Sequence, residues 1–524
     1  MRKLSTLFCA VLMTLSAMAT DYKGNLTVSI NGEGSTQPAT ISIVENAGKY
    51  NLSILNFMLG EGESVLPVGN IVIENVTGAV AGNLTTLYVN KNITIQKGNV
   101  AGIADDAWLG PMLGEVPVKM SSSFNTNGFL GVNIDIDMVS TLGQVIKVTF
   151  ENVGNHFQMP NSDFETWSNE NNAPKHWHGF ESVKGKLSGT AKSKTKLVSS
   201  KNVRPGSKGL TSAVVTSTKV FTVIANGTMT NGVLNAGSMS AADASNHSET
   251  DLSSTSKDAN GDPFATPMYA KPDSVKFWMR FTQAKAQASY PYAAFNAVIT
   301  DGTYYQDPEN KTYTNKVAVA APNKADMTVG DWRLVSCPFD YASYAANGAE
   351  AKAILLTVST NATPGKGSYS NGVADSVYVD DLELVYLADI KSVSFKGATL
   401  DLTNTDIDIA DDDVISASDF VVEKIGEDAK VTTLVEANAK GYQAVISVVS
   451  GDLNTQKTLV FNFNKPVWAD GDVNHDGVVD LADVTLLINK VLGADATQLY
   501  NPDVNADGKV DVADVTTLVS LILG

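Results

Sequence analysis

The chain has 524 residues, too many for a single hydrophobic core, so several domains are expected. Its 56 acidic and 38 basic side chains leave a formal net charge of −18, and no basic stripe is present, which argues against nucleic acid as a partner. Val, Thr, Ser, Asn and Gly are abundant and no long amphipathic helix precedes residue 480, so the composition favours β structure.

Arg2 and Lys3 precede an apolar run from Leu7 to Leu15, and Ala17-Met18-Ala19 offers a small-residue cleavage site before Thr20 or Asp21. Residues 1–19 are therefore expected to be a signal peptide, and the protein to be exported, either secreted or held at the cell surface. The run is too short to span a bilayer, and no later segment is a transmembrane candidate. Cys9 follows Phe8 rather than a small residue, which argues against a lipid anchor. Removing the leader leaves Cys337 alone, so no internal disulfide can form.

From 20 to 153 the pattern is a series of short alternating strands, read at 26–30, 39–44, 50–57, 68–76, 84–89, 93–96, 116–120, 130–136 and 145–150. In the first, Leu26, Val28 and Ile30 share one face, and Asn46-Ala47-Gly48 is a hairpin signal. Eight or so strands in this space fit a closed up-and-down barrel, where closure removes exposed edges. The stretches Tyr22-Lys-Gly-Asn-Leu-Thr-Val28, Val68-Gly-Asn-Ile-Val72 and Trp108-Leu-Gly-Pro-Met-Leu-Gly-Glu-Val-Pro-Val118 resemble the calycin-like barrel domain of gut-type Gram-negative bacteria. A barrel of this size either fills with side chains or holds one small ligand, and both readings stay open.

Residues 157–386 read as a larger β domain. It opens with Asn161-Ser-Asp-Phe-Glu-Thr-Trp167 and closes with Asp375-Ser-Val-Tyr-Val-Asp-Asp-Leu-Glu-Leu-Val385. Such paired ends resemble those of jelly-roll carbohydrate-binding modules. With Asp273-Ser-Val-Lys-Phe-Trp-Met-Arg280 they are similar to a carbohydrate metabolism domain of envelope proteins. The resemblance implies a jelly-roll β-sandwich whose first and last strands are neighbours, so Glu165 could meet Asp380 or Asp381. These carboxylates could hold a structural calcium, or act as acid and base on a glycosidic bond.

Tyr304, Tyr305 and Tyr313, with Tyr290 and Tyr292, crowd a polar segment, which suits either a glycan platform or ordinary packing. His176 and His178 flank Trp177 with no third metal ligand nearby. Asp258-Ala-Asn-Gly-Asp262 looks like part of a calcium loop but reads as a turn, and Cys337 reads as a buried thiol. Residues 387–467 alternate again, and resemble the small β-sandwich spacers that follow such modules.

The tail, 469–524, carries one acidic 12-residue loop twice. Loop one presents Asp472, Asn474, Asp476, Val478, Asp480 and Asp483; loop two presents Asp503, Asn505, Asp507, Lys509, Asp511 and Asp514. Side-chain oxygens stand at positions 1, 3, 5, 9 and 12, position 7 gives a backbone carbonyl, and Gly477 or Gly508 permits the turn at position 6. That pattern predicts a Ca2+ loop in each repeat. Helical spacing follows over 482–492 and 513–523, and a strand and a proline rather than a helix lie ahead of loop one. A duplicated loop-helix of this kind resembles the type I dockerin, which implies an all-α module and a cohesin partner. In that family positions 10 and 11 help choose the cohesin; here they are Leu481-Ala482 and Val512-Ala513 rather than a Ser-Thr pair.

No phosphate loop, nucleophile elbow or zincin helix is present. The favoured reading is a noncatalytic glycan or ligand binder that docks through its tail. The alternatives are a carbohydrate-active enzyme with the jelly roll catalytic, and a structural envelope or adhesion protein.

Overall fold

The computed structural model describes residues 19–60, 65–152, 157–168, 172–194, 197–494 and 499–524. The expected signal peptide lies outside the described residues except for Ala19. By its contacts the chain divides into two units, one made of 1–392, 422–432 and 446–458, the other of 393–421, 433–445 and 459–524.

The first unit begins with eight strands: β1 Ala19–Ile30, β2 Glu33–Asn46, β3 Lys49–Leu59, β4 Leu66–Ala81, β5 Leu84–Thr94, β6 Glu115–Asn125, β7 Leu130–Met138 and β8 Gln144–Glu151. Each pairs with the next, and β1 pairs with β8 over Asn25–Ile30, so the sheet closes into a barrel. Ala47 and Gly48 both take positive φ, 51° and 76°, which gives the β2–β3 hairpin a primed turn. The segment 93–96, read as a separate strand, is instead shared: Ile93 and Thr94 end β5, and only Gln96 makes a bridge, to Asn70.

Strand alternation sends Leu26, Ile41, Leu52, Ile73, Met120 and Leu130 into the barrel, where each is almost fully buried. The interior is thus occupied by side chains. Trp108 of the Trp-Leu-Gly-Pro motif is buried against Gly98, where an added Cβ would collide with the indole ring. Gly98→Ala should therefore cost about 1–3 kcal/mol, read as a lower denaturation midpoint at unchanged slope.

The next region is a two-sheet sandwich. One sheet runs in the order Gly330–Pro338, Ser274–Thr282, Ser376–Val385, Ser212–Thr216, Leu197–Ser200. The other runs Thr228–Thr230, Ala353–Ser359, Ala294–Thr300, Lys316–Ala320, with Thr266–Pro267 added beside Ala353–Ser359. Val275, Phe277, Met279 and Phe281 of the first face Phe295, Ala297, Ile299, Ile354, Leu356 and Val358 of the second. Phe277 and Phe295 stack with ring centroids 4.0 Å apart. A smaller sheet of Val233–Ala236, Asn246–Thr250 and Tyr305–Asp307 completes the region.

The expected spacer does not behave as one body. Val449 and Leu453 pack on Leu84 and Phe129 of the barrel, which explains why 446–458 group with the first unit. In the second unit Phe395, Phe420 and Phe463 form an aromatic cluster with centroids 4.7–5.7 Å apart. The tail helices are Leu481–Val491 and Val512–Leu523, and no described helix is long and apolar enough to cross a membrane.

Candidate functional site

Each tail loop is wound by its own acidic side chains. Asp472 accepts from the N–H groups of Asp476 at 3.2 Å and Gly477 at 3.0 Å; Asp503 accepts from Asp507 at 3.0 Å and Gly508 at 2.8 Å. The backbone turns at positions 4 and 6, where His475 (φ 56°) and Gly477 (φ 90°) repeat as Ala506 (φ 56°) and Gly508 (φ 84°). Position 12 closes the loop: Asp483 accepts from Asn474 and Asp480, and Asp514 from Asn505 and Asp511.

Position 9 starts the helix. Asp480 caps Ala482 at 2.6 Å and Asp511 caps Ala513 at 2.7 Å, each in a reciprocal capping box with the position-12 aspartate. Asp483 and Asp514 are both 0% exposed. The backbone amide of Asp511 holds the Asp514 carboxyl below its usual range, against the opposing effect of burial.

Whether a hard divalent cation fits is decided by the donor set. At positions 1, 3, 5, 9 and 12 every side chain is an oxygen donor, and among the described residues none of these carboxylates makes an ion pair with Lys or Arg. Negative charge is therefore gathered without a protein counter-ion, which suits Ca2+. The carboxylates are held by amide donors rather than drawn to one point, and no group of three His, Cys, Asp or Glu side chains among the described residues forms a ready metal centre.

The helices pack through Val484, Leu487 and Leu518, with Val515, Val519 and Ile522 beside them. The positions expected to meet a partner stay outside that core: Leu481 is 72% and Val512 66% exposed, and Ala482 and Ala513 are exposed too. Sequence reading missed an aromatic stack in which His475 lies between Trp468 (centroids 4.4 Å apart) and Tyr500 (3.9 Å). Tyr500 also donates its N–H to the Val473 carbonyl, so the approach to loop two is tied to loop one. The spacing of three rings along the chain carries no signal of that contact.

Elsewhere the structure corrects several expectations. Arg204 binds both aspartates at the sandwich end, donating its backbone N–H to Asp380 at 3.0 Å and its guanidinium Nε–H to Asp381. Glu165 is engaged by the N–H groups of Leu210 and Thr211, both at 2.9 Å. Asp380 and Asp381 are thus held by Arg204 and Glu165 by backbone amides, and among the described residues no group of three His, Cys, Asp or Glu side chains converges there.

Tyr305 and Tyr313 are 2% and 6% exposed, packed with Val298 and Leu355. Only Tyr304 reaches solvent, and its hydroxyl lies 3.1 Å from Glu249, so the three do not make a flat sugar platform. The two motifs read separately at 176–178 and 258–262 in fact meet. The His176 N–H donates to Asp262 at 3.0 Å, and buried His178 faces Asp258 at 3.7 Å. Asp258 spends its Oδ1 on the N–H groups of Asn260 and Asp262, as a turn would. Cys337 is buried, and burial pushes its thiol up to about 11.

Asp380 is 0% exposed with Oδ1 unpartnered, and burial raises its pKa from 3.8 to about 6. A carboxyl whose folded pKa exceeds its unfolded value binds its proton more tightly when folded. Its contribution is thus fully favourable below about pH 4 and is lost as pH rises through 6. Asp380→Asn keeps an acceptor for Arg204 and should gain stability relative to the parent across that window, on the order of 1–2 kcal/mol by pH 7. Melting both proteins at pH 4, 5, 6 and 7 checks this; a constant difference would contradict it.

Residues 18–153 match the calycin-like beta-barrel domain, and residues 470–523 match the dockerin type I domain. The chain thus carries a calycin-like barrel at its amino end and a type I dockerin at its carboxyl end. Type I dockerins typically bind calcium and dock to cohesins. No curated protein matches the chain. Among solved structures, a "putative outer membrane protein" from Bacteroides fragilis is 10% identical, with 65% of this chain and 96% of that one covered, at a TM-score of 0.17. The M60 catalytic domain with two CBM51 domains from Clostridium perfringens ZmpB is 13% identical over 86% of this chain and 40% of that one, at a TM-score of 0.15. At these values neither neighbour informs the function.

Proposed function

We propose that this is an exported, noncatalytic binding protein that takes up one Ca2+ in each tail loop and docks by that tail onto a cohesin partner, leaving the upstream β domains free to hold a glycan. The observation that carries the reading is the repetition itself. Asp503 follows Asp472 by 31 residues (503 − 472), and the same offset relates the exposed pair Leu481 and Val512 and the buried pair Leu487 and Leu518.

Asp472, Asn474, Asp476, Asp480, Asp483 and the Val478 carbonyl would hold the first ion; Asp503, Asn505, Asp507, Asp511, Asp514 and the Lys509 carbonyl would hold the second. Calcium would neutralise the gathered carboxylates and fix each loop against the start of its helix. Leu481-Ala482 and Val512-Ala513 then sit at equivalent places on two equivalent helices, so either pair can face the partner. The catalytic alternative is not favoured. Asp380 is fully buried and tied to Arg204, and so is poorly placed to reach a glycosidic oxygen.

The test is capture of the full chain by cohesin modules, in calcium and in chelator. Leu481→Asp or Val512→Asp alone should weaken capture by no more than about threefold, while the double variant should lose about a hundredfold or more. Capture that ignores chelator would overturn the docking reading, and loss in one single variant would overturn the equivalence of the two faces.

A further inference from the structure

The sandwich sheet of Thr228–Thr230, Ala353–Ser359 and Ala294–Thr300 has a second face that the core does not use. Period-2 alternation sends Met229, Phe295, Ala297, Ile354, Leu356 and Val358 inward. Thr228, Ala294, Asn296, Thr357 and Ser359 therefore point the other way. Val298 and Leu355, further along the same outer face, are covered by Tyr305 of the small sheet and by Tyr313 of the loop after it. That cover stops short, and beside it lies a cleft of about 460 Å³, inside the size range of small-ligand sites.

Its floor is small and polar. Its walls are apolar, with Phe180, Leu187, Leu234, Met239, Pro308 and Pro364 all lining it. Two floor atoms are buried without a partner: Asn226 Oδ1 and Thr357 Oγ1. The Asn226 amide is held by its Nδ2, which donates to the Asn361 carbonyl at 2.8 Å and to the Ser359 hydroxyl at 3.3 Å, so Oδ1 is left without a donor. A buried oxygen without a hydrogen-bond partner costs about 1–3 kcal/mol, and a ligand hydroxyl removes that cost.

Charge narrows the ligand. Asp307 lines the cleft, and burial raises its pKa. His247 also lines it but is already engaged, one ring nitrogen 2.8 Å from the Ala244 carbonyl and the other 2.9 Å from Glu249. Lys194, at the rim, is exposed. An anionic ligand would thus meet an acidic side chain and, among the described residues, no buried free cation. A ligand with many hydroxyls and apolar C–H faces satisfies both floor and walls.

We propose that this cleft, on the outer face of the sandwich sheet, binds a short neutral oligosaccharide, with Asn226 and Thr357 recognising sugar hydroxyls and the apolar walls packing on the ring faces. This deepens the glycan half of the function proposed above and is independent of the docking half. It places the glycan beside the buried tyrosines rather than on them, and on the other sheet from Asp380.

The experiment is calorimetric titration of the full-length protein with maltotriose, cellotriose, xylotriose and mannotriose, with trigalacturonate as the anionic control. At least one neutral trisaccharide should bind and trigalacturonate should not. Thr357→Val, which keeps the shape and removes the hydroxyl, should weaken that binding about tenfold. Ala294→Trp, which fills the floor, should abolish it. Thr357→Val should melt no lower than the parent, since it removes an unpartnered buried hydroxyl, and this keeps the result readable if the tryptophan variant folds poorly.

Failure of all four neutral probes to bind, or preferential binding of trigalacturonate, would overturn the proposal. Binding that neither substitution alters would overturn this site while leaving the glycan reading in place. Cohesin capture by the same variants should be unchanged, which separates this failure from failure of the docking reading.

Discussion

Replacing Asp472 and Asp503 together with alanine should abolish calcium uptake by the tail and release both of its helices, while the barrel and sandwich stay folded. Position 1 anchors each loop: its two oxygens accept from positions 5 and 6, across the turn that Gly477 or Gly508 makes possible. Alanine removes both acceptors and one of the charges a cation would need. At calcium concentrations about a hundredfold above Kd, binding stabilises each site by about 2.7 kcal/mol, so amide exchange across 481–491 and 512–523 should speed up about a hundredfold. Calorimetry of the full chain reads the uptake, and hydrogen exchange with and without chelator reads the helices. Undiminished uptake by the double variant would refute the assignment.

The second large effect comes from the tail's own core. Leu518→Ala should unfold both helices, including the one it does not belong to. The helices hold 11 and 12 residues, lengths that are marginal alone in water. Their shared buried residues are Val484, Leu487 and Leu518. Deleting a buried leucine side chain costs about 2–5 kcal/mol, which so small a core has little margin to absorb. Exchange should therefore accelerate over Leu481–Val491 as much as over Val512–Leu523, even in saturating calcium. Acceleration confined to the second helix would mean that the repeats fold independently. A cohesin partner present in excess should partly restore protection, since it binds only the folded tail.

Both results concern the part of the molecule most legible from sequence. A 12-residue loop places its ligands by local spacing, and its helix begins where Asp480 or Asp511 can cap an amide two residues on. Predicted helix bounds of 482–492 and 513–523 differ from the observed ones by a single residue, except at Leu523, where they coincide. The barrel strands were legible for a similar reason, because one face is buried along each strand and the alternation survives in the sequence. Merging of the 84–89 and 93–94 segments into β5 was not, since Asn90, Lys91 and Asn92 break the apolar alternation while their backbones pair with Lys119, Val118 and Pro117.

The tyrosines illustrate the limit. Nothing local distinguishes a tyrosine that stacks on solvent-borne sugar from one that seals a satellite core, and Tyr305 and Tyr313 proved to be the latter. Likewise His178 and Asp258 were each without a visible partner in sequence because the partner stood on a distant loop.

The sequence by itself determined the class of the molecule: mainly β bodies ahead of a twice-repeated acidic loop-helix, on which the proposed cation and partner contacts rest. Those features are set by interactions within a dozen residues. Tertiary structure alone decided which face of the sandwich sheet stays open, that Arg204 occupies the aspartate pair, and that Asn226 and Thr357 are left unpartnered in one cleft. The unpartnered atoms are Asn226 Oδ1 and Thr357 Oγ1, and these outcomes depend on which distant strand covers which surface, since alternation along a strand fixes two faces without saying what lies over either.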